Sequence, residues 1–243
     1  MTYCIALNLR DGMVFLSDTR TNAGMDNFSR AKKLHTWQVQ GERCIVLQSA
    51  GNLGITQAVV SELNEAIDRG ENGETMMNTP TIFSAAQLVG RTMQQVQQTY
   101  GPGLSARGED SGASLIMGGR RKDGRPRLFQ IYAAGNFIEA HDDAPFFQIG
   151  EHKYGKPILD RVITPETSLQ DGVICALLSM DSTLRSNLSV GMPLDLAVLP
   201  NNQFAFSEFR RIDEDDAAFR EFSELWSQQL RDAFSVMRET PFY

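Results

Sequence analysis

The sequence predicts an α+β domain in which two antiparallel sheets carry helices on their outer faces. Three observations indicate this fold class. Short apolar runs are joined by tight turns, which is typical of antiparallel hairpins. Longer stretches have apolar residues at helical spacing. Along the chain the predicted order is strands, two helices, strands, a helix, strands and a final helix, so strand groups and helices can form separate layers.

The first half of the chain contains two predicted hairpins. TYCIALNL is joined to MVFLSDT through residues 10–12, and a short Asp-Gly connection between apolar runs favours a hairpin. LHTWQVQ is joined to RCIVLQSAG through residues 41–42. The basic stretch RRKDGR at 120–125 separates two further strand-like runs and is predicted to be a hairpin turn, not a nucleic-acid site.

Helical spacing is clearest after these hairpins. In segment 52–70 an apolar residue recurs every four positions from Ile55 to Ile67, and segment 80–101 begins with a proline, which suits a first helical turn. We also predict helices over 168–187, within 152–162 and, after an acidic run, over the last 25 or so residues. The Gly-rich segment 101–112 is predicted to be a loop.

The remaining apolar runs of the second half are predicted to be strands. They are SLIMGG, RLFQIYAAG, FIEAHD, PLDLAVLP and QFAFSEFRRI. Neither an internal repeat nor a linker is evident, so residues 1–243 are interpreted as a single domain.

Composition and charge exclude several classes of function for this protein. A net charge of −7 argues against nucleic acid or an anionic membrane as the main partner. No apolar run is long enough to cross a bilayer, and no signal peptide is evident, so we expect a cytoplasmic protein. Cys4, Cys44 and Cys175 lie in apolar runs and are predicted to be reduced core thiols. We expect no cofactor and no metal site.

The N-terminus poses a chemical question. If Met1 is removed, Thr2 carries both a hydroxyl and a free α-amine, whose ordinary pKa of about 7.7–8.0 suits a base near neutrality. The small second residue favours removal of Met1. Taken alone, however, a threonine here is more often only the first residue of a strand.

Three further motifs follow Thr2. Asp18 and Arg20 lie in SDTRTNAG at the end of the second strand, Lys33 lies in AKKL, and SAG at 49–51 precedes the first long helix. Each has an ordinary interpretation as a turn or a solvated charge. Together and in this order, they resemble the proteasome-type N-terminal nucleophile (Ntn) hydrolases, and TYCIALNL…VFLSDTRTNAG is most similar to the bacterial subgroup called Anbu, the ancestral beta subunit.

The resemblance implies a four-layer αββα sandwich and a threonine-type peptidase. Thr2 Oγ would attack a peptide carbonyl while its own amine relays the proton. Lys33 would stabilise the developing alkoxide, Asp18 would hold Lys33, and the Gly51 N–H would donate to the oxyanion. The pocket for the residue before the scissile bond would be lined by Thr21, Ser49 and Leu53, together with His35.

This chain departs from the family pattern at two places. The family has a serine after the glycine of a strand-ending turn, where this chain has Glu151. A carboxylate near the α-amine favours the protonated amine and weakens it as a base. The family's Asp-x-x-Ser-Gly-Gly stretch leaves two alternatives here, either Asp181 or else Ser186 with Ser189 and Gly191.

The resemblance also implies a homo-oligomer, either a ring or an open helical assembly, and a peptide or amide substrate. Nothing in the sequence encodes a nucleotide site, so any unfolding activity would need a separate ATPase. Two other functions remain open. One is a catalytically silent scaffold, and the other is an N-terminal amidohydrolase that acts on a small amide or an isopeptide.

Overall fold

A computed structural model describes residues 1–22, 28–70, 73–239 and 241. The last two residues of the SDTRTNAG motif, at 23 and 24, lie outside the described residues. In the described part the strands are β1 Tyr3–Leu9, β2 Gly12–Asp18, β3 Arg20–Asn22, β4 Phe28–Arg30, β5 Leu34–Val39, β6 Arg43–Gly51, β7 Ala113–Arg121, β8 Arg127–Ile131, β9 Phe137–Glu139, β10 Phe146–Gly150, β11 Leu194–Pro200 and β12 Glu208–Ile212. The helices are α1 Leu53–Asp68, α2 Ile82–Ser105, α3 Lys156–Val162, α4 Leu169–Ser186 and α5 Ala217–Arg238.

The strands form two five-stranded sheets and one short pair. The first sheet has the order β10-β1-β2-β11-β12, the second has the order β5-β6-β7-β8-β9, and β3 pairs with β4. Every neighbouring pair is antiparallel. The predicted hairpins β1–β2, β5–β6 and β7–β8 are confirmed. The β7–β8 turn contains Asp123 at a φ of 66°, a conformation that aspartate tolerates better than most residues.

Three apolar clusters hold the layers together. One lies between the sheets and includes Phe15 and Ile116. A second joins the second sheet to α1 and α2 and includes Val89 and Leu115. The third joins the first sheet to α3 and α4 and includes Leu16 and Met180. The result is the predicted αββα sandwich, because each sheet buries one face against the other sheet and the other face against helices.

One predicted loop is partly helical. We expected 101–112 to be a loop, but α2 continues through Pro102 to Ser105. Proline lacks an N–H but has a helical φ, so the helix can add one more turn, in which the Ala106 N–H donates to the Pro102 carbonyl (3.0 Å). The amide of Gln97 also donates to the Ser111 carbonyl (2.7 Å) and holds the next segment against the helix.

The last predicted strand is shorter than expected. Of 203–212, only Glu208–Ile212 pairs with β11. The segment before it turns toward the second sheet, where the Phe204 carbonyl accepts from Gln38 (2.8 Å) and the Phe204 ring lies under the Arg120 guanidinium. These contacts between the sheets outweigh the strand preference of the sequence.

Helix α5 is amphipathic but lies on the surface. Asp216 caps its N-terminus by accepting from the Phe219 N–H (2.9 Å), and Phe219 packs against the cluster under α4. None of its described residues is buried. Among the described residues, no helix is long and apolar enough to cross a membrane. The three cysteines are free and buried, as predicted.

Candidate active site

The N-terminus is fixed in the first sheet from its second residue onward. The Thr2 carbonyl accepts from the Glu151 N–H (2.6 Å), and Tyr3 pairs with Gly150 across β1 and β10. The Tyr3 hydroxyl also lies 2.7 Å from Ser179 Oγ in α4. Thr2 itself is only 9% exposed. A chain end held in this way keeps the threonine in one place.

Gly150 makes this close approach feasible. Its φ is +83°, and a Cβ there would collide with the carbonyl oxygen of Thr2. Only glycine readily adopts this positive φ without placing a Cβ against the Thr2 carbonyl oxygen. The turn after β10 therefore depends on glycine in order to hold the backbone of Thr2.

A buried ion pair lies beside the N-terminus. Lys33 Nζ donates to Asp18 Oδ1 at 2.7 Å, and the two side chains are 4% and 0% exposed. Lys33 Nζ also donates to the Arg20 carbonyl (2.6 Å). Asp18 ends β2 and Lys33 directly precedes β5, so the ion pair joins the two sheets. A pair buried in this way keeps a positive charge at a fixed position.

Asp18 also connects this ion pair to the first strand. Its Oδ1 accepts from the Tyr3 N–H (3.0 Å), and its Oδ2 accepts from the N–H groups of Arg20 and Gly191 (both 3.2 Å). Burial raises the pKa of Asp18, while the charge and hydrogen bond of Lys33 oppose that effect. All four partners donate to the carboxyl group, an arrangement that suits its ionised form.

The α-amine of Met1 lies within this charged environment. It donates to Asn22 Oδ1 at 2.9 Å. Burial lowers the pKa of this amine, the positive charge of Lys33 lowers it further, and Asp18 partly opposes both effects. An amine at this end of the chain is thus more readily neutral than one in water.

Polar side chains from two loops continue the network beyond Asn22. The Asn22 amide donates to Ser189 Oγ (3.4 Å), and the Ser189 N–H donates to Asn187 Oδ1 (2.9 Å). The Asn187 amide then donates to Glu151 Oε2 (3.0 Å). The network therefore runs from the N-terminal amine to the residue whose N–H holds the Thr2 carbonyl.

Comparisons with known proteins identify the family of this chain. The model of the proteasome subunit family matches residues 2–199. The chain belongs to the proteasome subunit family. No curated protein matches significantly.

Solved structures of Anbu are similar over nearly the full chain. Anbu from Yersinia bercovieri is 44% identical with a TM-score of 0.90, and the match covers 99% of this chain and 98% of that one. A Gly-1 mutant of Anbu from Hyphomicrobium sp. strain MC1 is 49% identical with a TM-score of 0.91, covering 98% and 100%. The helical assembly of the Anbu complex from Pseudomonas aeruginosa is 44% identical with a TM-score of 0.92, covering 99% and 98%. The chain thus has a proteasome-like Ntn-hydrolase scaffold.

Gly51, expected from the family resemblance to be the oxyanion donor, ends β6 just before α1. Its φ is +105°, and a Cβ there would collide with the Gly112 carbonyl. The following residue, Asn52, caps α1 by accepting from the Ile55 N–H (3.2 Å). Gly51 therefore lies at the junction of β6 and α1, and its role as the oxyanion donor stays a prediction.

Two of the residues expected to line a substrate pocket, Ser49 and Thr21, are connected to Lys33 through the backbone. The Ser49 N–H donates to the Lys33 carbonyl (3.1 Å), and half-buried Leu53 begins α1. Half-buried Thr21 follows Arg20, whose carbonyl binds Lys33. His35, two residues beyond Lys33, is partly buried, and burial together with the charge of Lys32 lowers its pKa to about 4.

The two sequence alternatives for a support residue lie in different surroundings. Asp181 accepts from Ser223 Oγ of α5 (2.5 Å) and forms an ion pair with Arg185 (3.2 Å), so both of its oxygens bind partners at the α4–α5 contact. Ser189 instead binds Asn22, which binds the N-terminal amine. Ser186 is the last residue of α4, and the Gly191 N–H donates to Asp18.

Sequence reasoning did not single out Asn22 and Asn187. Asparagine at a strand end or after a helix is ordinary turn chemistry, and no spacing marked either residue. Both side chains are engaged by residues that are distant in the chain, Ser189 for one and Glu151 for the other. Among the described residues, no group of histidine, cysteine and acidic side chains could hold a metal ion.

Proposed function

We propose that this protein is a threonine-type peptidase or amidohydrolase whose nucleophile is Thr2 after removal of Met1. One observation carries the proposal. A single carboxylate oxygen, Asp18 Oδ1, accepts from both Lys33 Nζ and the Tyr3 N–H. The buried ammonium group and the residue that follows Thr2 are therefore bound to the same oxygen atom.

The charges around Thr2 support the first chemical step. The free amine of Thr2 takes the hydroxyl proton, directly or through a water, while Oγ attacks the substrate carbonyl carbon. Lys33 stabilises the oxygen anion as it forms, and Asp18 keeps Lys33 in place. The pKa of the Met1 amine, one residue before Thr2, is lowered by burial and by Lys33, and we expect the same groups to lower the pKa of the Thr2 amine.

The later steps follow from the same groups. The Gly51 N–H donates to the oxyanion of the tetrahedral intermediate, which collapses when the protonated amine returns its proton to the leaving nitrogen. The acyl group then remains on Thr2 Oγ. Water attacks this ester, the Thr2 amine again takes the proton, and Oγ leaves with it. The enzyme is restored and a carboxylic acid is released.

The proposal extends to substrate and assembly. We propose a peptide or amide substrate whose side chain before the scissile bond contacts Thr21, Ser49 and Leu53. Because the similar protein from Pseudomonas aeruginosa forms a helical assembly, we propose that this chain also forms a homo-oligomer, in the cytoplasm. Unfolding of a protein substrate would require a separate ATPase.

The direct test is labelling with a peptide epoxyketone. This reagent needs an α-amine and the adjacent hydroxyl on one residue, so we expect an adduct on a peptide that begins at Thr2, read by mass spectrometry. Lys33→Met should abolish the adduct, and Thr2→Ser should retain it. As a surface control, Ser235→Ala should label like the parent, since Ser235 lies on exposed α5.

Two results would reject this function. A chain that still begins at Met1, or a free Thr2 that never reacts, would indicate the silent scaffold. Equal labelling of the parent and Lys33→Met would show that the buried cation does not take part. Hydrolysis of small amides without hydrolysis of peptides would assign the amidohydrolase alternative.

A further inference from the structure

Glu151 stands where the family resemblance leads one to expect a serine, and its carboxylate is fixed by two donors. Oε1 accepts from the Lys153 N–H (2.9 Å) and Oε2 accepts from the Asn187 amide (3.0 Å). The side chain is buried, and its backbone N–H holds the Thr2 carbonyl. The backbone of Glu151 is therefore held against the nucleophile's residue, while its carboxylate oxygens are occupied by other groups.

Asn187 is held in turn on its other side. Its Oδ1 accepts from the Ser189 N–H, and its own N–H donates to the Thr183 carbonyl at the end of α4 (both 2.9 Å). Both polar atoms of the amide side chain are thus used, one by Ser189 and one by Glu151. A side chain held at both ends has little freedom to turn, so it fixes the orientation of the carboxylate that it binds.

We propose that Asn187 is a positioning residue for the Thr2 reaction, because its amide holds the Glu151 carboxylate in one orientation and limits its pairing with the free Thr2 amine. The inference rests on the proposed function. Without this restraint, the carboxylate can turn toward the amine and form an ion pair with its protonated form. A protonated amine cannot take the hydroxyl proton, so the reaction would need a higher pH.

Glu151 is charged over the range in which the amine titrates. Burial alone would raise its pKa, but the hydrogen bonds from Lys153 and Asn187 outweigh that effect and lower the pKa below its ordinary value. The restraint therefore acts on a full negative charge. An opposite charge within a few ångströms shifts a pKa by about 1–3 units, which sets the size of the effect to be measured.

Other charged groups belong to the segments that hold Thr2 and must be kept constant. They are Asp18, Arg20, Lys33, Glu151, His152 and Lys153. His152 Nδ1 lies 3.4 Å from the Gly150 carbonyl. Each variant is therefore also made with His152→Gln, so that the imidazole is absent from every protein compared.

The test measures the rate of epoxyketone labelling of Thr2 against pH. We expect Asn187→Ala to move the midpoint of the profile upward by about one pH unit. Asn187→Asp, which keeps the shape and adds a second negative charge, should move it at least as far. The double variant Asn187→Ala/Glu151→Gln should return the midpoint to the parental value. Asn136→Ala, at an exposed turn of the second sheet, is the matched control.

The outcomes separate this inference from the proposed function. A parent whose free Thr2 never reacts would reject the proposed function, and this inference with it. If the parent reacts but the Asn187 variants lose rate equally at every pH, Asn187 has a merely structural role and the inference is wrong. Failure of Glu151→Gln to restore the midpoint would overturn it as well. Should Asn187→Ala not fold, Asn187→Asp with its Glu151→Gln partner gives the same decision.

Discussion

The two sides of Thr2 are built from different kinds of interaction. On one side the charges of Asp18 and Lys33 form an almost fully buried pair at 2.7 Å. On the other side the amides of Asn22 and Asn187 connect the N-terminal amine to Glu151 through longer, partly exposed hydrogen bonds. The first side is a fixed ion pair, whereas on the second side neutral side chains separate the N-terminal amine from the Glu151 carboxylate.

This difference indicates which amino-acid substitutions each side of the site tolerates. A buried charge that loses its partner is strongly destabilising, so we expect a change in either member of the ion pair alone to lower stability. An amide network near solvent can exchange its members at lower cost, because water can replace a lost partner. The departures from the family pattern lie on this second side, at Glu151 and around Ser189.

The largest effect is expected from breaking the ion pair. Asp18→Asn leaves Lys33 buried beside a neutral amide, and we expect a loss of about 3–5 kcal/mol in the free energy of unfolding. Denaturant unfolding would measure it. The double variant Asp18→Asn/Lys33→Met removes both charges and should recover most of the stability. Thr2 should remain unlabelled in it, because the cation is absent. Equal stability of the single and double variants would contradict the assignment of a buried charge pair.

The next effect concerns the turn that holds the Thr2 carbonyl. Gly150→Ala places a Cβ against that oxygen at a positive φ, and we expect a loss of about 2–3 kcal/mol together with slower labelling. Gly70→Ala is the matched control, since Gly70 has a φ of +60° and no atom near the added Cβ. It should cost only about 1 kcal/mol. Similar losses for both variants would show that backbone strain, not contact with Thr2, decides the cost.

His35 provides a pH test on the side of the ion pair. Its pKa of about 4 lies below the ordinary 6.5, so between these values the unfolded chain binds more protons than the folded one. Stability should therefore fall as the pH falls through that window. Partial exposure screens the effect, so we expect about 2 kcal/mol or less. His35→Gln should flatten this part of the profile, and an unchanged slope would assign it to other groups.

The smallest effects distinguish the two support alternatives. Asp181→Ala removes contacts with Ser223 and Arg185 and should cost about 1–2 kcal/mol of stability, with the pH profile of labelling unchanged. Ser189→Ala loses one long hydrogen bond and should cost about 0.5 kcal/mol, but it should slow the labelling of Thr2. If instead Asp181→Ala slows the labelling of Thr2 and Ser189→Ala leaves it unchanged, Asp181 is the support residue.

The sheet-and-helix layers were predictable because they follow from local pattern. Short glycine-containing turns between apolar runs predicted the hairpins, and a four-residue apolar spacing predicted α1. The exceptions were decided by tertiary contact. Helix α2 runs through Pro102 into the segment predicted as a loop, and 203–207 turns to the other sheet instead of extending β12.

The sequence by itself determined the fold class, the family and the candidates Thr2, Asp18, Lys33 and Gly51, because these depend on residue type and order along the chain. Only the tertiary structure decided which groups surround the N-terminal amine. Asn187 is 186 positions from Met1 in the sequence, yet it belongs to the same hydrogen-bond network. Pairings across such distances are set by how the sheets and the end of α4 pack together, which a local pattern does not encode.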